Sequence, residues 1–228
     1  MSKHLQRELD NLKKELLLIA SMVENATQKA LTALVDRRQE LAEEVIGKDF
    51  LINEKEVKIE EECLKILALY QPVAIDLRFI ITALKVNNDL ERVGDLAVNI
   101  AERAAFLSTQ EMLAITLDFP NMAKNVQTML AASLDALTRN DAELARKVIA
   151  MDDAVDLANH KMIKALRRQM QQNPTTIKRA IHLISSSGQL ERIADLATNI
   201  AEDVIYMVEG EVVRHRTEDF IKKEEEEE

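Results

Sequence analysis

The sequence predicts an all-α fold, arranged as two tandem three-helix bundles that are related by an internal repeat. The 228 residues include four glycines and three prolines, and 31% are charged while 3% are aromatic, which is typical of long helices with few turns. Residues 90–102 (LERVGDLAVNIAE) return 100 positions later as residues 190–202 (LERIADLATNIAE), with ten of thirteen positions identical. A repeat of this kind indicates two related halves.

In the first half, the sequence predicts helices over residues 3–36, 39–70 and 72–107. Apolar residues of the first helix alternate steps of three and four, which gives one apolar stripe. The second helix carries aliphatic residues seven positions apart: Val45, Ile52, Ile59 and Ile66. Pro72 breaks the chain and opens the third helix, because proline is tolerated in the first turn.

In the second half, helices are predicted over residues 121–138, 141–171 and 174–208. Asn140 or Asp141 caps the middle helix, and Gly210 ends the last one. The repeat extends into the preceding helices, because LAEEVIGKDFLIN from residue 41 aligns with LARKVIAMDDAVD from residue 144. These features divide the chain into a first repeat over residues 1–108, a linker over 109–118, a second repeat over 119–210 and a disordered acidic tail over 211–228.

Each repeated segment carries polar side chains at positions i, i+4, i+8 and i+11, which lie on one face of a helix. In the first half these are Glu91, Asp95, Asn99 and Glu102. In the second half they are Glu191, Asp195, Asn199 and Glu202. Oxygen-only ligand sets favour hard divalent metals such as Mg, Mn or Fe, so we expect these eight residues to bind metal ions.

Two other interpretations of the same residues remain open. Arg92 and Arg192 each precede an aspartate by three residues, so one interpretation is a purely structural scaffold in which the carboxylates only form intrahelical ion pairs. A carboxylate-bridged metalloenzyme is the second alternative. Its usual Glu-x-x-His signature does not occur, which counts against it.

Composition and motifs exclude several other classes of function. The formal net charge of −10 argues against binding nucleic acid. No phosphate-binding loop or hydrolase motif occurs, so we expect no enzymatic activity. The N-terminus has no apolar signal core, and no apolar run is long enough to span a bilayer, so we expect a soluble cytoplasmic protein.

The doubled LER(V/I)xDLAxNIAE segment, the preceding QPVAIDLR and the two three-helix repeats resemble the PhoU family of phosphate-uptake regulators. The resemblance implies a cytoplasmic homodimer that binds metal at its repeated carboxylates, Glu91 with Asp95 and Glu191 with Asp195. It also implies negative regulation of the phosphate regulon, through contacts with a sensor histidine kinase and with the ATPase of the phosphate ABC transporter. Association with the membrane would then occur only through these partners.

The second half departs from the family pattern in several places. Asp89 and Gly94 of the first half are replaced by Gln189 and Ala194. The sequence Asp-Leu-Arg at 76–78 has Ile-Lys-Arg as its counterpart at 177–179. From these departures we expect the metal site of the second half to be the weaker one.

Overall fold

The computed structural model describes residues 3–213, and within them the chain forms α-helices and one short 3₁₀ turn, with no strand. The all-α prediction is therefore confirmed. The helices are α1 (Lys3–Asp36), α2 (Gln39–Tyr70), α3 (Ala74–Ser108), α4 (Phe119–Arg139), α5 (Ala142–Ile149), α6 (Asp152–Gln172) and α7 (Ile177–Glu209). Of the predicted acidic tail, residues 214–228 lie outside the described part of the chain.

Helices α1, α2 and α3 pack against one another and form the first bundle. The predicted apolar stripe of α1 is buried along most of its length, and the four aliphatic residues of α2 are between 0% and 4% exposed. Helix α3 begins at Ala74, two residues later than predicted. The delay arises because Gln71 adopts a left-handed conformation (φ 46°) and Val73 is extended (φ −128°, ψ 164°).

The second bundle consists of α4, the α5–α6 pair and α7. The prediction of one continuous helix over residues 141–171 was wrong, because the chain turns at Ala150 and Met151. The Met151 amide donates to the Val148 carbonyl at 3.0 Å, which tightens this turn. Asp152 and Asp153 follow directly, and aspartate is unfavourable inside a helix but favoured in its first turn, so a new helix starts there.

The ends of the helices in the second half follow the predicted capping residues. The Asp141 carboxylate accepts a hydrogen bond from the Leu144 amide at 2.9 Å and caps α5. Pro174 opens a 3₁₀ turn, so α7 begins at Ile177. Gly210 ends α7 with φ of 79°, a conformation that glycine adopts without steric cost.

The two bundles lie side by side, with α3 packed against α7 and α1 against α4. The Lys85 ammonium donates to the Asp203 carboxylate at 3.0 Å, and the Arg103 guanidinium donates to the Ser185 hydroxyl at 2.6 Å. Because these contacts join opposite ends of the helices, α3 and α7 run antiparallel. The two repeated segments therefore overlap near the middle of this helix pair.

Candidate metal centre

In the first bundle, four carboxylates come together between α2 and α3. Asp49 and Glu56 lie two helical turns apart on α2, and Glu91 and Asp95 lie one turn apart on α3. Helix α2 approaches α3 closely at Gly94, where an added Cβ atom would lie 3.3 Å from the Ile52 side chain. Gly94 therefore allows α2 and α3 to pack closely beside the carboxylate cluster.

The first cluster is partly desolvated and strongly acidic. Burial raises the pKa of Glu91, and the negative charges of Asp95, Glu56 and Asp49 raise it further, while Arg92 opposes the shift. Burial and the charge of Asp49 also raise the pKa of Asp95. Each charged carboxylate therefore destabilises its neighbours unless a cation offsets the repulsion.

In the second bundle, the corresponding cluster lies between α6 and α7. Asp152 and Asp156 are one turn apart on α6, and Glu191 and Asp195 are one turn apart on α7. Carboxylate oxygens of Asp152, Asp156 and Asp195 all lie within 4.8 Å of one another. Among residues 3–213, this is the one group of three that a single ion can bridge at such distances.

Electrostatic repulsion is most evident at Asp152. Burial and the charges of Asp156, Asp195, Asp153 and Glu191 raise the pKa of Asp152 to about 6. Burial likewise raises the pKa of Asp195 and of Glu191, with Asp156 contributing to both. The second cluster is thus repulsive in the same way as the first.

One oxygen in each cluster is buried without a hydrogen-bond partner. These are Oδ1 of Asp49 and Oδ1 of Asp152, which occupy equivalent positions in the two halves. A buried carboxylate oxygen without a partner carries a desolvation penalty of about 1–3 kcal/mol. A hard divalent cation takes carboxylate oxygens as ligands, so the residues in both clusters fit such an ion.

Neutral amides accompany the carboxylates at different positions in the two halves. In the first half, the Asn53 amide donates to Oδ2 of Asp49 at 3.0 Å, whereas its counterpart in the second half is Asp156. Conversely, Glu56 of the first half has the neutral counterpart Asn159, which accepts a hydrogen bond from Ser187 at 2.6 Å. Each half therefore has four clustered carboxylates, but their spacing along α2 and α6 differs.

The predicted residues Asn99 and Glu102 lie farther along α3. The Asn99 amide donates to the Asp95 backbone carbonyl at 2.9 Å. Glu102 is 58% exposed, and one of its carboxylate oxygens lies 3.9 Å from the Arg103 guanidinium. Seven residues of helix separate Glu102 from Asp95, about 10 Å along the axis, so the two side chains do not share one ion.

Asn199 and Glu202 occupy the corresponding positions on α7, and both are half-buried. Glu202 is likewise about 10 Å along the helix from Asp195. Of the eight predicted residues, the structure therefore brings two from each half into a cluster: Glu91, Asp95, Glu191 and Asp195.

The intrahelical ion pairs that offered an alternative explanation are not formed. Among the ion pairs shorter than 4.0 Å within residues 3–213, none joins Arg92 to Asp95 or Arg192 to Asp195. Both arginines are exposed. Arg92 and Arg192 therefore lower carboxylate pKa values only through their charge, and neither forms an ion pair with an aspartate of the clusters.

The carboxylates of α2 and α6 were missed by sequence reasoning. The alignment at an offset of 103 places Asp49 on Asp152 and Asn53 on Asp156. An aspartate repeated at equivalent positions, with an oxygen-bearing residue four positions later, is the signal that would have found them.

Comparisons with known proteins agree with this architecture. The sequence profile of the PhoU domain matches residues 16–104 and 119–204. A phosphate-specific transport system accessory protein PhoU homolog from Aquifex aeolicus is 42% identical over 210 residues, which cover 92% of this chain and 95% of the relative. A homolog with the same name from Pseudomonas aeruginosa is 39% identical over 216 residues, covering 94% of this chain and 89% of the relative.

Solved structures show the same fold. The crystal structure of PhoU from Pseudomonas aeruginosa superposes with a TM-score of 0.88 at 39% identity, covering 90% of this chain and 99% of that chain. The phosphate transport system regulatory protein PhoU from Streptococcus pneumoniae superposes with a TM-score of 0.84 at 32% identity, covering 92% and 99%. Within residues 3–213, no helix is long and apolar enough to cross a membrane. By its sequence and its fold, this chain belongs to the PhoU family.

Proposed function

We propose that this chain is a cytoplasmic, metal-binding regulator of phosphate uptake and of phosphate-starvation signalling. Relatives that match over nine-tenths of the chain are named as accessory proteins of the phosphate-specific transport system, which supports the link to phosphate uptake. The observation that carries the metal-binding part is the pair of carboxylate clusters, each with one buried and unpartnered aspartate oxygen.

Asp49, Glu56, Glu91 and Asp95 would hold metal in the first half, and Asp152, Asp156, Glu191 and Asp195 would hold it in the second. A divalent ion of Mg, Mn or Fe supplies positive charge that offsets the repulsion between the facing helices. Because the ion binds the folded chain, it stabilises the fold by about 2.7 kcal/mol at a hundredfold excess over Kd. The metal therefore fixes the relative position of the two helices in each pair.

In this proposal the protein acts by contact rather than by catalysis. The family resemblance supports a homodimer whose partners are a sensor histidine kinase and the ATPase of the phosphate ABC transporter. No sequence motif for a nucleophile or a phosphate-binding loop favours an enzymatic role. Metal binding would set the shape of the surfaces that meet these partners.

The test combines metal content with regulation in cells. Tag-free wild-type protein dialysed against Mn²⁺ should retain metal. A fourfold variant replaces each clustered glutamate with Gln and each clustered aspartate with Asn, at residues Glu91, Asp95, Glu191 and Asp195. This variant should lose the metal, and in cells it should relieve phosphate-dependent repression of a reporter gene. The matched control is Glu102→Gln with Glu202→Gln, which changes acidic residues outside the clusters and should alter neither result. Unchanged metal content in the fourfold variant would refute metal binding at these carboxylates, and intact repression would refute the regulatory role.

A further inference from the structure

A cavity of about 300 Å³ lies between α1, α2 and α3, next to the first carboxylate cluster. Its apolar wall includes Val45, Ile52 and Gly94, and its polar wall includes the Ser21 hydroxyl and the Asn25 amide. Asp49, which belongs to the carboxylate cluster, also lines the cavity. The cavity and the cluster therefore share a wall.

Two ammonium groups and one carboxylate also line the cavity. Lys29 donates to Glu44 at 2.8 Å, and Lys48 donates to the same carboxylate oxygen at 2.6 Å. These hydrogen bonds lower the pKa of Glu44 to about 2, and the formal charges of the two lysines and the glutamate sum to +1. A small anion in the cavity would meet both this net positive charge and the negative charge of Asp49.

A divalent ion held by Asp49, Glu91 and Asp95 would offset the negative charge that Asp49 presents to the cavity. An oxyanion in the cavity would then meet a cation, the ammonium groups of Lys29 and Lys48, and the polar side chains of Ser21 and Asn25. We propose that this cavity binds a small tetrahedral oxyanion, with inorganic phosphate as the probe, and that binding requires metal in the first cluster. This inference rests on the metal binding proposed above and adds a ligand to the same half of the molecule.

The second half does not have these charged groups at the equivalent positions. Lys29 corresponds to Ala132, Glu44 to Lys147 and Lys48 to Met151 in the alignment of the repeats. The oxyanion site is therefore a property of the first half alone. Linkage requires that metal and phosphate strengthen each other's binding by the same factor.

The experiment is calorimetric titration of the full chain with inorganic phosphate, in saturating Mg²⁺ and in EDTA, after titration with Mg²⁺ alone. Phosphate should bind at least tenfold more tightly with Mg²⁺ than without it. Lys29→Met with Lys48→Met should weaken phosphate binding at least tenfold and leave the affinity for Mg²⁺ alone within twofold. Glu44→Gln should strengthen phosphate binding, because both ammonium groups lose their carboxylate partner.

Lys147→Met is the matched control, since it removes a lysine at the position equivalent to Glu44 and should leave phosphate binding unchanged. Thermal melting of each variant verifies that it is folded. If Mg²⁺ binds and phosphate does not, or if the lysine variants bind phosphate as the wild type does, the oxyanion site is refuted while metal binding stands. If Mg²⁺ alone does not bind, the titrations are repeated with Mn²⁺, and both proposals fail if neither ion binds.

Discussion

In the first half, the clustered carboxylates of α2 are Asp49 and Glu56, seven residues apart, whereas the second half has Asp152 and Asp156 four residues apart on α6. Both clusters contain four carboxylates, but the three that lie within 4.8 Å of one another are in the second half. A metal ion requires oxygens within about 2–2.6 Å of its centre, so the spacing of carboxylates matters as much as their number. The comparison therefore favours the second half as the tighter metal site.

This order is opposite to the one expected from the sequence. That expectation depended on departures such as Gln189 and Ala194, and Ala194 is fully buried rather than part of the cluster. The acidic residues that distinguish the halves lie instead on α2 and α6. We therefore propose that the second half binds metal more tightly, and the predictions below test this difference.

The largest effect should come from disabling one half at a time. Asp152→Asn with Asp195→Asn removes two of the three closest carboxylates, and we expect the tighter site to lose at least a hundredfold in affinity for Mn²⁺. Asp49→Asn with Asp95→Asn should remove only the weaker site. Calorimetric titration of both variants measures this, and Asp153→Asn, an exposed neighbour, should change affinity less than threefold. If both double variants lost the same site, the halves would not bind metal independently.

The contacts between the bundles provide a second comparison. Lys85→Met removes the cation that pairs with the buried Asp203 carboxylate, and we expect a loss of about 2 kcal/mol in the free energy of unfolding. Arg103→Met removes the hydrogen bond to the neutral Ser185 hydroxyl, together with one to the Asn99 carbonyl of its own helix, and should cost about 1 kcal/mol. Urea denaturation of both variants measures the difference. Equal losses would show that the charge of Asp203 does not distinguish the two contacts.

Exchanging the α2 and α6 patterns tests carboxylate spacing at constant net charge. Asn53→Asp with Glu56→Asn gives the first half the arrangement of the second, and should raise its affinity for Mn²⁺ about tenfold, or 1.4 kcal/mol. The reverse exchange, Asp156→Asn with Asn159→Glu, should lower affinity in the second half. Titration of each exchange in a background with the other half disabled isolates the effect. Unchanged affinities would mean that spacing does not set the difference.

The smallest effect concerns metal-free protein. The folded pKa of Asp152, about 6, lies above its ordinary value, so the folded chain binds more protons than the unfolded chain between these values. The contribution of Asp152 to the free energy of unfolding is therefore most favourable below about pH 4, and it is lost as the pH rises to about 6. In the wild type, the free energy of unfolding should fall by about 1 kcal/mol over this pH range because of Asp152, allowing for solvent screening. Asp152→Asn should abolish this fall. Thermal melting in EDTA measures it, and Asp153→Asn should keep most of the wild-type pH dependence, because Asp153 is only the third of the four charges that raise the pKa of Asp152.

Much of the fold followed from the sequence, because long helices have strong periodic signals. Helices α1 and α2 have the predicted ends, since apolar spacing and the turn before Pro72 define them. The break between α5 and α6 was not predicted, because Ala150 and Met151 are ordinary helix residues and the turn depends on a local change in hydrogen bonding.

The candidate site was predicted only in part. Glu91 and Asp95 were found because one face of one helix is visible in sequence spacing. Asp49 and Glu56 complete the cluster from another helix, and which face of α2 meets α3 depends on packing at Gly94 and Ile52. Spacing also placed Glu102 on the correct face of α3, but it did not account for the distance along the helix axis.

Anomalous X-ray diffraction at the manganese edge, on crystals soaked in increasing Mn²⁺, tests the central proposal most directly because it locates the metal itself. At low Mn²⁺ we predict an anomalous peak among Asp152, Asp156 and Asp195, within coordination distance of Oδ1 of Asp152. At higher Mn²⁺ we predict a second peak beside Oδ1 of Asp49. Peaks absent from both clusters at saturating Mn²⁺, or a first peak in the α2–α3 cluster, would contradict the proposed sites or their order.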